Sequence, residues 1–310
     1  MKEYSTRSKL MGCDFSLGVV SNNESRADAL LNMGIQEIKR IENLLSEFLP
    51  HSETYRINQH AFSGSIKVDS ECYQLIDRCI SISDLTKGSF DITVSPLKRL
   101  YDFKNADFEM PSQKRISETL SGVGYEKIKL NPIDTSIQFL HKELKISFAA
   151  IGKGYASDKV KQMWQKENVN SGYVNSSGDI TAFGKKADGT QWKIGIANPD
   201  NRSKVLLYVP IENASVATSG DYEQYFTYNG VRYSHNINPH SGLPLTGIKS
   251  VSVFSPSAEL SDALATAIYV MGVDEGISFA NQLPKTHAII IDSHNQLTLT
   301  KKIHYEAVSV

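Results

Sequence analysis

The sequence predicts an α+β fold, one two-lobed domain over residues 1–310 in which helices pack against a mainly antiparallel sheet. Apolar residues recur with helical spacing over residues 25–48. Short runs with alternating apolar residues follow one another over 172–237. Because no low-complexity linker divides the chain, we expect one compact unit rather than separate domains.

The composition is that of an ordinary globular chain without a surface for nucleic acid. Its 310 residues contain 33 Lys and Arg against 34 Asp and Glu, which gives a formal net charge of −1. The basic residues are scattered along the sequence rather than clustered. Nucleic acid is therefore not expected as a partner.

The three cysteines, Cys13, Cys72 and Cys79, form no CxxC motif. An odd number of cysteines indicates no disulfide framework and favours a reducing compartment, with Cys72 and Cys79 as buried thiols on one helix face. The first twenty residues contain early charges and no long apolar core, so neither a signal peptide nor a membrane span is expected. We therefore expect a cytoplasmic protein, or a periplasmic or membrane-anchored one if a leader has been trimmed.

The helices are predicted from apolar spacing and from stop signals. A period of 3.6 predicts a long packing helix over residues 25–48, and Gly88 ends a second helix over 70–87. A short helix is expected over 114–121, in a polar region punctuated by Pro and Gly. Strands, most of them joined by hairpins, are expected over residues 172–183, 192–197, 204–210, 214–217, 232–237, 288–292 and 297–300.

Residues 145–167 are expected to form a strand, a Gly-rich turn and a helix. The strand is predicted over 145–151 and the helix over 155–167, joined by Gly152, Lys153 and Gly154. This turn lacks the third glycine of a dinucleotide fingerprint and the spacing of a P-loop, so neither motif is assigned. Two glycines around a lysine before a helix can present N–H groups and a positive charge to an anion. A tight turn with a solvent-exposed lysine explains the same residues equally well.

A carboxylate and a hydroxyl lie four residues apart in the C-terminal segment 259–267. At this spacing on a helix, Asp262 and Thr266 lie one above the other on the same face, among small alanine side chains. Two hard oxygen ligands suit a Mg²⁺ ion that keeps some water and binds a phosphate. The alternative is an Asp and a Thr on a solvated or loosely packed helix.

Three further polar segments are ambiguous when each is taken alone. Residues 177–179, Ser-Gly-Asp, need be no more than a hairpin turn. Residues 217–222, Ala-Thr-Ser-Gly-Asp-Tyr, can hydrogen-bond a ligand, but Ser219 equally suits a helix N-cap. His235 lies beside a turn rich in Asn, Pro and Gly, and an isolated histidine is more often structural than catalytic.

Taken together and in order, these segments resemble the FAD:protein FMN transferase family, also called ApbE. The resemblance covers nearly the whole chain, from about residue 9 to residue 300. Its most specific parts are the Ser-Val-Ala-Thr-Ser-Gly-Asp-Tyr segment and the Asp-Ala-Leu-Ala-Thr segment. The segments that carry it are residues 11–12, 88–91, 151–158, 174–180, 214–222, 235–242 and 262–266.

The resemblance implies an ApbE-like, T-fold-like architecture and a Mg²⁺-dependent flavin transferase. Such an enzyme cleaves the pyrophosphate of FAD, attaches the FMN half to a Thr hydroxyl of a partner flavoprotein and releases AMP. By family likeness, Asp262, Thr266 and the main-chain carbonyl of Ala150 hold the metal. Mg²⁺ would neutralise charge on the phosphorus under attack and on the departing AMP.

The resemblance also implies which side chains contact FAD. Lys153 would balance phosphate charge. His235 is the candidate general base or hydrogen-bond donor, and Asp262 counts as catalytic through the metal. The acceptor hydroxyl arrives on the partner protein, which explains why no nucleophile stands out in the sequence. The other implied contacts with the flavin nucleotide are Met11, Phe48, Ser89, Phe90, Asp91, Ser147 and Ile237.

The chain departs from the family pattern at three positions. Ser147 stands where an Asp is common, Ser177 precedes Gly178 where Gly-Gly is common, and Asn238 replaces the usual Asp before Pro239. Two carboxylates are thereby lost, which could weaken a second metal site or alter nucleotide affinity. Two alternatives to transfer therefore stay open: an FAD pyrophosphatase that yields FMN and AMP, and a non-catalytic module that binds FAD.

Overall fold

The structure is a computed structural model and describes residues 1–103, 109–221 and 224–308. Tyr222, part of the segment 214–222, lies outside these ranges. The helices are α1 (Glu24–Leu45), α2 (Glu53–His60), α3 (Ser70–Leu85), α4 (Ser95–Lys98), α5 (Gln113–Leu120), α6 (Gly152–Lys166), α7 (Ala258–Met271) and α8 (Val273–Ala280), with a 3₁₀ turn at Tyr125–Lys127.

The strands form one large antiparallel sheet and several smaller ones. The large sheet has the order β1-β2-β6-β7-β10-β13-β14-β15, and a three-stranded sheet has the order β16-β9-β8. Two further sheets have the orders β3-β5-β4 and β11-β12. The strand bounds are β1 (Lys2–Leu10), β2 (Cys13–Ser21), β3 (Ile66–Lys67), β4 (Ile128–Asn131), β5 (Ser136–Phe139), β6 (Gly172–Ser176), β7 (Asp179–Phe183), β8 (Trp192–Asn198), β9 (Asn201–Ile211), β10 (Ala214–Gly220), β11 (Tyr225–Tyr228), β12 (Val231–Ser234), β13 (Ile248–Ser255), β14 (His287–Asp292), β15 (Leu297–Leu299) and β16 (Glu306–Ala307).

The large sheet has a different layer on each face. On one face, α1 and α6 bury Ile38 and Trp164 against β2 and β6, and α7 buries Leu264 against Val251 and its neighbours. On the other face, the three-stranded sheet packs Trp192, Ile194 and their neighbours against alternate residues of β7, β10, β13 and β14. Successive strand residues point to opposite faces, so β13 serves both layers, with Val253 toward the helices and Phe254 toward the small sheet. The mixed α and β class with mainly antiparallel sheets is confirmed.

The local signals for the helices are confirmed with small shifts at the ends. The helix predicted over 25–48 begins after the N-cap Asn23, whose side chain accepts the Arg26 N–H, and ends at Leu45. The helix predicted over 70–87 begins after the N-cap Asp69 and ends at Leu85. Within α3, Cys72 and Cys79 are free and buried, as expected.

The prediction of a strand over residues 145–151 is wrong, because no strand lies there. Leu144, Ile146 and Phe148 are buried in alternation, which is the pattern of a strand. The backbone of Ile146, however, is paired with the side chain of Asn58, whose amide donates to the Ile146 carbonyl and whose oxygen accepts the Ile146 N–H. The segment therefore belongs to no sheet: an Asn side chain supplies the hydrogen bonds of Ile146 that a neighbouring strand would, and residues 149–151 form a turn.

Two other local expectations change. Gly152, Lys153 and Gly154 form the first turn of α6 rather than a separate turn before it. Ser219 lies inside β10, so the interpretation of this residue as a helix N-cap is wrong. The one-domain organisation stays a prediction, in agreement with a main core cluster that joins Phe15 of β2 to Cys72 of α3 and Ile137 of β5.

Candidate active site

The candidate site forms where the N-terminus of α6 meets the face of α7. The two helix backbones come so close at Gly154 that any side chain there would overlap the carbonyl of Ala258. This approach lets the Gly154 N–H donate to Asp262 Oδ2 at 3.1 Å. Gly154 is thus required by close packing, and the packing fixes the carboxylate of Asp262 at the start of α6.

The ammonium group of Lys153 lies between two carboxylates. Its Nζ is 2.8 Å from Asp179 Oδ2 and 3.5 Å from Asp262 Oδ1. Asp179 is the first residue of β7, directly after a turn in which Ser177 and Gly178 have positive φ, and its Oδ1 accepts the Thr218 N–H at 2.8 Å. The hairpin, α6 and α7 therefore meet in one group of alternating charges.

Asp262 is held in an unfavourable electrostatic environment. Its side chain is buried, and burial together with the negative charge of Asp179 raises the pKa of Asp262 to about 6, although Lys153 and the Gly154 N–H act in the opposite direction. A buried carboxylate with a raised pKa in contact with a lysine is an arrangement that functional sites favour.

Thr266 lies one turn beyond Asp262 on α7, as predicted, and the interpretation of a loosely packed helix is wrong because α7 is buried along most of its length. Its Oγ1 is 3.3 Å from Ser219 Oγ of β10. Ala150 lies just before α6, and within the described ranges nothing is found donating a hydrogen bond to its carbonyl, since the Gly154 N–H goes to Asp262.

The donor set fits a small hard cation that keeps part of its hydration. A carboxylate, a hydroxyl and a main-chain carbonyl are the oxygen ligands that Mg²⁺ prefers. Over residues 1–103, 109–221 and 224–308, no group of three or more His, Cys, Asp or Glu is found that is suited to a metal ion. The assignment of Ala150, Asp262 and Thr266 to a metal stays a prediction.

Ser147 and Phe48 are brought together through Glu47. The Ser147 hydroxyl donates to Glu47 Oε1 at 2.8 Å, and Glu47 directly precedes Phe48. Phe48 is 76% exposed just beyond the end of α1, so its ring is accessible to a flat ligand. Met11 lies between β1 and β2, and its Cε is close to Gly152 at the start of α6.

The loop 89–91 is buried, and its carboxylate has internal partners. Asp91 Oδ1 accepts the Thr93 N–H and hydroxyl, both at 2.7 Å, and Oδ2 accepts the Tyr125 N–H at 3.0 Å. Burial raises the pKa of Asp91 despite these hydrogen bonds. Ser89 and Phe90 are also buried. Asp91 therefore shapes the loop, and contact of these three residues with a flavin stays a prediction.

His235 follows β12 and is held by the main chain of residue 224. Its Nδ1 lies 3.2 Å from the Gln224 carbonyl, and because a carbonyl can only accept, Nδ1 carries the hydrogen and Nε2 keeps a lone pair. Burial and the positive charges of Lys98 and Lys153 lower the pKa of His235 to about 4. Ile237, two residues on, is buried against Leu97 and Tyr101.

Sequence reasoning missed two residues that the structure brings into this region, Asp179 and Glu47. In the sequence, Asp179 is only part of a hairpin turn and Glu47 is the end of a packing helix. Ser219, by contrast, lies in the segment 217–222, which was expected either to hydrogen-bond a ligand or to supply a helix N-cap. The signal for Asp179 is nevertheless present, since it lies in one of the segments that carry the family resemblance. Glu47 gives no signal in the sequence, because only the fold brings it to Ser147.

Comparison with known proteins agrees with this arrangement. A sequence model of the ApbE family matches residues 11–291. The chain belongs to the ApbE family. It is 32% identical over 256 residues to the FAD:protein FMN transferase of Vibrio cholerae, covering 80% of this chain and 75% of that protein. It is 27% identical to the FAD:protein FMN transferase of Treponema pallidum, covering 94% of this chain and 85% of that protein.

Solved structures of ApbE proteins have the same fold. The crystal structure of the Thermotoga maritima ApbE protein superimposes with a TM-score of 0.88 at 30% identity, covering 97% of each chain. The apo Pseudomonas stutzeri flavinyl transferase ApbE gives a TM-score of 0.86 at 26% identity, covering 97% of this chain and 95% of that one.

Over the described ranges, none of the helices combines the length and apolar character needed to cross a membrane.

Proposed function

We propose that this ApbE-family chain is a transferase that moves FMN from FAD to a partner flavoprotein. We further propose that it requires Mg²⁺, that the acceptor is a Thr hydroxyl and that AMP is released. Transferase activity with FAD is supported by the names that the Vibrio cholerae and Treponema pallidum relatives carry. The observation that carries the proposal is the group formed by Lys153, Asp179 and Asp262 at the start of α6.

This group suits a diphosphate because it combines anion and cation binding at one point. α6 begins after Ile151, which makes no side-chain cap, and the positive end of its dipole lies at this point. The Gly152 N–H donates to the Phe148 carbonyl and the Gly154 N–H to Asp262, so the dipole and Lys153 remain to attract an anion. Lys153 adds a full positive charge to that end. A pyrophosphate at this point would be attracted by the helix dipole and by the charge of this lysine.

Asp262, Thr266 and the carbonyl of Ala150 would hold the metal. When bound, Mg²⁺ would supply a positive charge that stabilises the negative charge developing on the phosphate oxygens. The chain's own residues would align the phosphorus with the incoming acceptor oxygen. The new bond joins that oxygen to the FMN phosphorus, and the bond from this phosphorus to the AMP oxygen breaks.

His235 is proposed to receive the proton of the acceptor hydroxyl. Its lowered pKa keeps the ring unprotonated at neutral pH, and Nε2 retains a free lone pair because Nδ1 is bonded to Gln224. A proton acceptor needs this state of the imidazole. The partner protein supplies the nucleophile, so the site needs a base and charge stabilisation but no nucleophile of its own.

The proposal is tested by weighing an acceptor flavoprotein after incubation with this protein, FAD and Mg²⁺. A mass gain equal to FMN, located on a Thr by peptide mapping, together with one AMP per modified acceptor, supports transfer. FMN and AMP formed at the same rate without acceptor would instead identify a pyrophosphatase. Bound but unchanged FAD would identify a binding module.

The cytoplasmic location expected from the sequence stays a proposal. Fractionation of the producing cells, followed by detection of the protein in the soluble and membrane fractions, would test it.

A further inference from the structure

A buried carboxylate that the sequence did not single out lies behind the predicted FAD contacts. Glu47 lies two residues beyond the end of α1, and its side chain is only 10% exposed. It accepts hydrogen bonds from Ser147 at 2.8 Å, from Ser95 of α4 at 3.0 Å and from Arg99 at 2.6 Å. One carboxylate thus joins three segments of the chain beside the exposed ring of Phe48.

The bond to Ser147 fixes the direction of a proton. A hydroxyl has one hydrogen to donate and two lone pairs, whereas an ionised carboxylate can only accept. Ser147 therefore donates its only hydroxyl hydrogen to Glu47. One lone pair accepts the Ala149 N–H at 3.4 Å, a weak contact, and among the described residues no donor to the other lone pair is found.

We infer that Glu47 is a positioning residue for FAD, which turns Ser147 into a fixed hydrogen-bond acceptor. FAD offers donors for such a group in its ribityl and ribose hydroxyls and in the imide N–H of its flavin ring. The inference rests on the proposed function, because it takes Ser147 to contact FAD. It also gives a physical reason why this chain can carry a Ser where the family commonly carries an Asp: both present an acceptor.

The matched variants are Glu47→Ala, Ser147→Ala, their double variant and Arg99→Ala. Arg99 donates to the same carboxylate, and no hydrogen bond between Arg99 and Ser147 is found in the described part of the chain, so its removal tests a purely structural role of the cluster. The readouts are the Kd for FAD from flavin fluorescence and the separate kcat and KM of FMN transfer. Thermal unfolding verifies that each variant is folded.

Glu47→Ala and Ser147→Ala are each expected to weaken FAD binding about tenfold, as loss of one hydrogen bond does. The double variant should also lose about tenfold rather than a hundredfold, because Glu47 acts through Ser147. The KM for FAD should rise with the Kd while kcat at saturating FAD stays within about twofold. Arg99→Ala should bind FAD within about twofold of the wild type, since it leaves the bond between Ser147 and Glu47 in place.

An unchanged Kd in Glu47→Ala, or losses that multiply in the double variant, would overturn the inference. So would an equal loss in Arg99→Ala. If Glu47→Ala folds poorly, Glu47→Met keeps the volume, removes the acceptor and enters the same cycle. A wild-type protein that binds FAD without transferring FMN would contradict the proposed function alone. The Kd values of the two single variants and the double variant would still decide the role of Glu47. A wild type that binds no FAD would overturn both.

Discussion

At the scale of single residues, Asp262 would have to be ionised to bind the proposed metal ion, although its ionised form makes the fold less stable. Its pKa is about 6 in the folded chain against an ordinary value of 3.8 for an aspartate carboxyl, so folding disfavours the ionised form. The stability linked to this group is fully present below pH 3.8 and is lost as the pH rises through 6. In the metal-free protein at pH 8, Asp262 should therefore be ionised, and its charge should destabilise the fold.

Asp262→Asn is expected to stabilise the metal-free protein at pH 8 by about 1–3 kcal/mol while abolishing transfer. Asn keeps an oxygen for the Gly154 N–H but removes the negative charge that faces Asp179. Calorimetric unfolding in EDTA at pH 5 and pH 8 measures the first effect, and the acceptor mass shift measures the second. Equal stability of variant and wild type at pH 8, or retained transfer, would contradict this account of the site.

His235→Gln is expected to lower kcat by about a hundredfold and to leave the Kd for FAD nearly unchanged. Gln is similar in size and keeps a polar side chain, but it cannot take a proton at neutral pH. Single-turnover transfer measured with saturating FAD and acceptor reports kcat, and fluorescence titration reports the Kd. A kcat within threefold of the wild type would assign the proton to another group.

Burial of neutral His235 also gives the molecule a dependence on acid. Its pKa is about 4 when folded and 6.5 for free histidine, so the unfolded chain binds the proton more readily. Stability linked to this group is complete above pH 6.5 and declines as the pH falls toward 4. His235→Gln should therefore flatten the loss of stability between these two pH values, which denaturant titrations would show.

At the scale of elements, the approach of α6 to α7 sets the geometry of the candidate site. Gly154→Ala places a Cβ against the Ala258 carbonyl and must push the helices apart. We expect a loss of about 1–3 kcal/mol, since overpacking at backbone contacts costs this much. Gly64→Ala is the matched control, because no atom lies within 4 Å of the Cβ position there. Urea unfolding of both variants compares them.

Transfer should fall together with stability in Gly154→Ala, because the displaced α6 would carry Lys153 away from Asp262. A fully active variant would mean that the helix contact matters for packing alone. A loss of stability of the same size in Gly64→Ala would point to a general glycine effect rather than to the contact between the helices.

The sequence predicted elements well where a local signal determines them. The period of 3.6 located α1, and Gly88 located the end of α3 to within two residues. The segment around Ile146 shows the limit, since its alternation of buried residues is that of a strand but its hydrogen-bond partner is the side chain of Asn58. No local pattern reveals which distant side chain will pair with a backbone.

The same limit applies to the candidate site. Asp262 and Thr266 lie on one helix, so their spacing predicted a shared face, and α7 confirms it. Glu47 and Ser147 are a hundred residues apart and meet only because the end of α1 passes the segment before α6. Lys153 and Asp179 likewise meet through the β6–β7 hairpin, and neither contact could be derived from spacing.

At the scale of the whole molecule, the two faces of the large sheet have different roles. The helix face carries the candidate site, and the opposite face is closed by the small sheet around Trp192. The ordered series of segments was enough to indicate the family from the sequence alone, because their order along the chain is specific even where each segment is not. The helix layer against the sheet was predicted, but the small sheet on the opposite face was not, and no signal was recognised for β1, β2 and β13.

FAD together with Mg²⁺ should stabilise the whole protein, because both bind the folded chain only. At a hundred times the Kd the gain is about 2.7 kcal/mol, which raises the Tm by several degrees. Differential scanning calorimetry with FAD alone, Mg²⁺ alone and both together measures it. The shift with both should exceed the sum of the separate shifts if one site holds them jointly. A strictly additive shift would place them apart.

The ammonium of Lys153 between Asp179 and Asp262 has a consequence for how the protein is made. A tethered counter-ion arrives with the polypeptide itself, so the newly synthesised chain can bring its two acidic groups together before any inorganic ion is at hand. If the proposed Mg²⁺ site exists, folding of the chain would therefore not depend on the metal, and the metal-free protein would be folded and able to bind Mg²⁺ later.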